Sequence, residues 1–318
     1  MNYELLPMAL NNIFYTIKPL IPRRLQIFLR RQFITFKRKK YSYIWPIDPN
    51  SATTPSDWEG WPDNKKFALV LTHDVDTKKG HDRCYQLMEL EEKLGFRSSF
   101  NFVPERYSVS KNLRNDLVNR GFEVGVHGLK HDGKLFSSKE IFQKRAIKIN
   151  QYIEEYRAVG FRSPAMHHNL DWIHGLNIKY DASTFDTDPF EPQSDGVGTI
   201  FPFWVRGTSN QSGYVELPYT LVQDFSLFIL MRERTIDIWK KKLDWIAQKG
   251  GMALLNTHPD YMFFGGNKLG LEEYPVRYYE EFLEYIRNKY EGQYWHALPR
   301  KVAHFWEKMS QKDLKSKI

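Results

Sequence analysis

Two periods organise the hydrophobic positions of this chain. Apolar runs at 67–71 (FALVL), 97–103 (RSSFNFV), 122–126 (FEVGV), 159–163 (VGFRS), 178–183 (IKYDAS), 214–220 (YVELPYT) and 252–256 (MALLN) are short and bounded by turn residues, which predicts strands. Between them, residues 81–94, 112–119, 138–156, 236–248 and 276–288 repeat their apolar positions at the helical period, with a further helical turn from Leu170. Strands and helices in alternation predict an α/β fold of parallel strands joined by crossover helices. A stretch at 189–213, rich in Pro, Gly and aromatic residues, reads as an insertion on the substrate side. The last helix, near 300–311, is expected to pack outside the sheet, and there is no internal repeat.

The N-terminal part has a different pattern. Residues 1–41 hold nine of the 46 Lys and Arg and one of the 38 Asp and Glu, so the whole formal charge of +8 resides there. Projected as a helix, residues 25–37 place Leu25, Phe28, Leu29, Phe33 and Phe36 on one side and Arg24, Arg30, Arg31 and Lys37 on the other, with Ile27 and Ile34 off the pattern. A basic amphipathic helix of this kind is expected on an anionic membrane surface, with packing on the catalytic domain or on a partner protein as the alternative. Nucleic acid is not expected, because no binding module accompanies the charge. Residues 42–66, rich in Pro, Ser, Asp and Trp, read as a wrapped linker to a domain at 67–318.

At 318 residues and 42% hydrophobic residues, the chain can bury one large core. The single Cys84, in a predicted amphipathic helix, cannot form an internal disulfide and is expected to be a buried thiol. No apolar run approaches the roughly 20 residues of a membrane span. The first 30 residues lack a secretory pattern, since Lys18, Arg23 and Arg24 follow the apolar stretches. The expected location is the cytoplasm, peripheral on the inner face of the membrane.

Candidate chemistry gathers at predicted strand ends. Asp74 and Asp76 in THDVD (72–76) stand at i and i+2 on a strand, so both face one pocket. One carboxylate can hold a cation while its neighbour handles protons. His127 and His131 at i and i+4 can meet at a common point, and imidazole with carboxylate suits Zn²⁺ or a similar divalent ion. Taken singly these signals are weak: such a histidine pair arises by chance, and Asp-X-Asp also caps helices. His258 follows MALLN at another strand end, where a protonated imidazole could donate to a leaving nitrogen or simply bond backbone. Arg162 could hold an acid or form a surface ion pair. His73 is expected to pack behind the site, and His167, His168 and His174 carry less weight; His296 and His304 lack ligand spacing.

In order, THDVD, HGLKH (127–131), FRSP (161–164) and LLNTH (254–258) resemble the motifs of the polysaccharide deacetylases, carbohydrate esterases and amidases that share the nodulation-type chitooligosaccharide deacetylase domain. The resemblance covers residues 67–258. It implies an irregular or incomplete (β/α) barrel. It further implies Asp74 as catalytic base, Asp76, His127 and His131 as metal ligands, Arg162 as orienter of Asp74, and His258 as general acid. The acid that orients His258 falls within YDASTFDTDPF (180–190), with Asp186 as candidate and Asp181 and Asp188 as rivals. The pattern departs from many members in two places. Val75 separates the two acids, as in the branch that includes formyl-sugar deformylases, and Ala165 stands where an aromatic residue often follows the FRSP motif. The N–H after Pro164 is a candidate oxyanion donor.

The implied reaction is hydrolytic removal of an acyl group, N-acetyl foremost, from an amino sugar in a cell-surface polysaccharide or lipid-linked glycan pathway. A nucleotide-linked or lipid-linked intermediate fits the expected location better than a mature polymer. Deformylation, or hydrolysis of another linear amide, is the alternative. A scaffold or binding protein that retains the fold is the third reading, against which the intact set Asp74, Asp76, His127, His131 and His258 stands.

Overall fold

In the computed structural model, residues 21–56, 58–207 and 212–316 are described. In chain order the strands are β1 (Phe67–Val75), β2 (Ser99–Phe102), β3 (Glu123–His127), β4 (Gly160–Arg162), β5 (Tyr180–Asp181), β6 (Phe203–Val205), β7 (Tyr214–Glu216), β8 (Met252–Thr257), β9 (Met262–Phe263), β10 (Tyr274–Pro275) and β11 (Tyr294–His296). The helices are α1 (Arg23–Lys40), α2 (Lys78–Leu94), α3 (Lys111–Asn119), α4 (Lys139–Tyr156), the single turn α5 (Leu170–Ile173), α6 (Asp237–Lys249), α7 (Arg277–Tyr290) and α8 (Pro299–Ser316).

β1 is buried along its full length and forms the spine of the sheet, which explains its nearly unbroken apolar run. It pairs in parallel with β2, β8 and β11. β2 to β5 and then β7 continue in parallel, and β6 adds an antiparallel edge. The sheet curls until isolated bridges, Phe185 to Tyr219 and Leu221 to Leu255, link the β5 side back to β8. This is the irregular (β/α) barrel. Local sequence supports it: the side chains of Thr77, Ser110 and Ser138 cap the starts of α2, α3 and α4, and Gly95 ends α2 at φ 84°. Cys84 is buried.

The 189–213 stretch runs away from the C-terminal strand ends. Ile200 accepts a bond from Met252 N at the start of β8, and the stretch then forms β6, so much of it lies at the opposite edge. Backbone pairing, which aromatic content does not encode, decides its path. Residues 42–56 and 58–66 pack along the barrel: Trp45 packs on Phe190, and Trp58 and Trp61 join Phe201, Phe305 and Trp306.

Residues 1–20, including Glu4 and Lys18, lie outside the described residues. α1 docks on the barrel through Ile27 and Ile34, the two residues that the helical projection leaves off its pattern. The projected apolar face, Leu25, Phe28, Leu29, Phe33 and Phe36, points outward. The cause is the reach of the basic side chains, which bend back to acids and carbonyls on the barrel and leave room against it for two compact β-branched residues.

Candidate metal and catalytic site

Parallel strands deliver the site at their C-terminal ends, where folds of this kind expose functional groups. Asp74 and Asp76 leave the end of β1, His127 ends β3, Arg162 ends β4, and His258 follows β8. His131 sits on the loop beyond β3. Gly128 shapes that loop, with φ at 62° and Pro164 so close that a Cβ would lie 2.5 Å from its ring. His131 itself has φ 54°.

Asp76, His127 and His131 each offer one ligand atom, all within 4.8 Å of one another. Asp76 Oδ1 is buried with no hydrogen-bond donor aligned on it, although the Nε2 atoms of His131 and His127 stand 3.1 and 3.4 Å away. An orphaned carboxylate oxygen between two imidazole nitrogens fits a divalent cation. His127 Nδ1–H donates to the Arg162 carbonyl at 3.0 Å, which fixes the ring and leaves Nε2 for the ion. Asp260 steadies the same turn by accepting from Asp76 N at 2.9 Å and from the Thr77 hydroxyl.

Asp74 is clamped rather than orphaned. Its Oδ1 accepts from Asn101 at 3.0 Å and from Arg162 at 3.3 Å, and its Oδ2 accepts from Asn256 at 2.8 Å. Arg162 is itself fully enclosed, bonding the Ala182 carbonyl, Thr72 and Asn256. Burial pushes Asp74 up, but His127, Arg162 and His258 outweigh it and hold the carboxyl down at about 2. Gly125 makes room for this clamp, because a Cβ there would lie 2.1 Å from the Asn101 amide oxygen.

His258 faces the acids from β8. Its Nδ1 lies 2.7 Å from Asp224 Oδ1, and Asp224 Oδ2 accepts from His258 N at 2.8 Å and from the Tyr274 hydroxyl at 3.1 Å. Burial pulls the imidazole down, yet Asp224, with Asp76 and Asp74 beyond it, pushes it up to about 10. Asp224 therefore stands where Asp186 was expected. Asp186 is paired instead with buried Lys242, its segment held by the bridge from Phe185 to Tyr219. Its rivals are engaged elsewhere: Asp181 accepts from Ser183 and Asp188 from Tyr219. His73 packs behind the site, donating from Nε2 to Glu91 at 2.9 Å. His168 Nδ1 bonds the Met166 carbonyl at 2.9 Å.

Asn101, Asn256, Asp224 and Tyr274 are the site residues that motif reading passed over. Asn101 could have been found, since β2 sets it directly opposite Asp74, and Asn256 stands two residues before His258 on β8. Asp224 has no local signal.

The chain has the fold of the polysaccharide deacetylases. A structure from Mycobacterium smegmatis assigned as a polysaccharide deacetylase is 17% identical, with a TM-score of 0.62 over 81% of this chain and 96% of the other. One from Pseudomonas aeruginosa with the same assignment is 13% identical, with a TM-score of 0.57 over 83% and 95%. The Puue allantoinase structure is also 13% identical, with a TM-score of 0.58 over 82% and 97%. No family model matches the sequence, and no curated protein does.

Proposed function

We propose that this protein is a metal-dependent amidohydrolase that removes an acyl group, N-acetyl foremost, from an amino sugar. The observation that carries this reading is the orphaned Asp76 oxygen between His127 and His131, beside a separately clamped Asp74. Asp76, His127 and His131 would hold a divalent cation such as Zn²⁺, which when bound lowers the pKa of water to about 7 and polarises a carbonyl. Asp74, kept ionised by Arg162 and its two amide donors, accepts the proton of the attacking water. His258, kept protonated by Asp224, donates to the departing amine. The N–H of Ala165, in a turn where Ala165 and Met166 both have positive φ, is the proposed oxyanion donor.

The sugar is proposed to be lipid-linked or nucleotide-linked, at the inner face of a membrane. Val75 between the two acids, as in the branch that includes formyl-sugar deformylases, favours hydrolysis of another linear C–N bond, deformylation among them, as the second reading. Five assembled groups argue against a purely binding role.

Elemental analysis of purified protein tests the ligand set. Asp76→Ala and His131→Ala are expected to lose the bound divalent ion; unchanged metal content in both removes the assignment. Mass change across a panel of N-acetylated and N-formylated sugars, free and nucleotide-linked, separates the two readings.

A further inference from the structure

α1 wears its amphipathic pattern inside out. Its basic side chains serve the docked side: Arg23 pairs with Glu272, Arg38 with Glu233, Arg31 Nε bonds the Ile229 carbonyl at 3.0 Å, and Lys37 Nζ bonds the Pro189 carbonyl at 2.7 Å. The Arg30 guanidinium lies 4.8 Å from the Phe225 ring. The opposite face presents Leu25, Phe28, Leu29, Phe33 and Phe36 at 46–69% exposure. Isolated exposed apolar residues are ordinary, but five large ones along one helix face mark an interaction surface.

The charges exposed beside this stripe identify its partner. Arg24, Lys39 and Lys40 are all basic, and residues 21–40 contain no acid. A second copy would set like charges against each other across a two-fold interface, whereas an anionic bilayer accepts apolar and basic side chains together. No helix among the described residues is long and apolar enough to cross a membrane, so the contact is with its surface.

Position links the stripe to the site. α1 rests on Pro189, Phe225, Ile229 and Glu272, in segments that leave the sheet at the edge where Asp74 and His258 stand. From Phe225, ring contacts of 4.8 Å to Tyr261 and 5.0 Å onward lead to His258. Leu269 and Leu271, both more than 40% exposed, lie in the loop that Glu272 ties to Arg23.

We propose that the outer face of α1 is a membrane-docking surface: its leucine and phenylalanine side chains enter the headgroup–acyl boundary of an anionic bilayer, with Arg24, Lys39 and Lys40 on the lipid phosphates. The adjoining site then acts on a substrate presented from that surface, a consequence that rests on the function proposed above.

Co-flotation of the full chain with vesicles tests the docking directly. Binding to mixed phosphatidylcholine and phosphatidylglycerol vesicles is expected, at least about tenfold weaker on phosphatidylcholine alone and weakened by salt. The triple variant Phe28→Ser, Phe33→Ser, Phe36→Ser alters only exposed side chains. It should bind mixed vesicles on the order of 100-fold more weakly while hydrolysing a soluble acylated amino sugar at the parent rate. Equal binding by variant and parent overturns the proposal. So does absence of binding by the parent; a parent dimer that the variant lacks would then assign the face to a second copy. Vesicle binding without hydrolysis would count against the enzymatic reading and leave the docking standing.

Discussion

Asp186 and Asp224 are the same group in nearly the same setting. Both are buried, and each meets a basic side chain inside the protein. Asp224 meets an imidazole that looks toward Asp74 and Asp76, whereas Asp186 meets Lys242, an ammonium also bound to the Pro46 carbonyl and only 2% exposed. Burial and ion pairing alone therefore do not mark a functional acid. What separates the two is whether the paired basic side chain faces Asp74 and Asp76 or is held away from them. On the proposed function the 224 segment serves the chemistry and the 186–191 segment only the packing around it, so substitutions in the two should divide between rate and stability.

The largest effect is expected at Asp74, the proposed base. Asp74→Asn should keep its metal and its fold while turnover falls roughly 10²–10⁴-fold, the usual contribution of a general base. If Asp74→Asn strips the metal while Asp76→Asn retains it, the two carboxylates have exchanged roles.

Asp186→Ala leaves Lys242 buried without its partner and should cost about 3–5 kcal/mol of stability by urea denaturation, with kcat per folded molecule little changed. Asp224→Asn tests the other side. It should lower kcat roughly 10²-fold with modest loss of stability. Removing the carboxylate that keeps His258 protonated should also move the alkaline limb of the rate profile to lower pH, because the imidazole then loses its proton sooner. A rate loss from Asp186→Ala as large as that from Asp224→Asn would erase the distinction.

The legible part of this site is the part that strand geometry fixes. Alternation along β1 sets Asp74 and Asp76 on one face, and the tight loop at Gly128 brings His131 back to His127, so their meeting follows from a few adjacent residues. Asp224 depends on the bridge between Leu221 and Leu255 and on the π-helical turn Phe225–Leu230 that it opens, contacts between distant parts of the chain that no local period encodes. The same limit applies to α1. Its pattern defines an apolar face, but two surfaces compete for the helix, and Ile27 and Ile34 decide which side meets the barrel. The barrel itself was readable because alternating strands and helices leave few ways to connect.

The smallest expected effect lies within the 186–191 segment. Glu191 Oε1 lies 2.8 Å from the Tyr219 hydroxyl and accepts from Gln223 at 2.7 Å, and Gln223 in turn accepts from Asn256, which holds Asp74. Burial, with repulsion from Asp188 added, pushes Glu191 up to about 8. The folded protein then keeps a proton that the unfolded chain releases near pH 4.5, so this group's contribution to stability is complete below that pH and is lost as pH rises through about 8. Glu191→Gln removes the titration while keeping an acceptor for Tyr219. Between about pH 5 and pH 8 the variant should therefore lose stability less steeply than the parent, by about 1–2 kcal/mol across the window, since Asp188 titrates with Glu191 and shares the effect. The measurement is urea denaturation of both proteins at the two pH values. Turnover at neutral pH should change by less than about tenfold, below the contribution of a general acid or base. A larger loss would mean that the Gln223–Asn256 chain carries the state of Glu191 to Asp74, and the 186–191 segment would then be part of the chemistry.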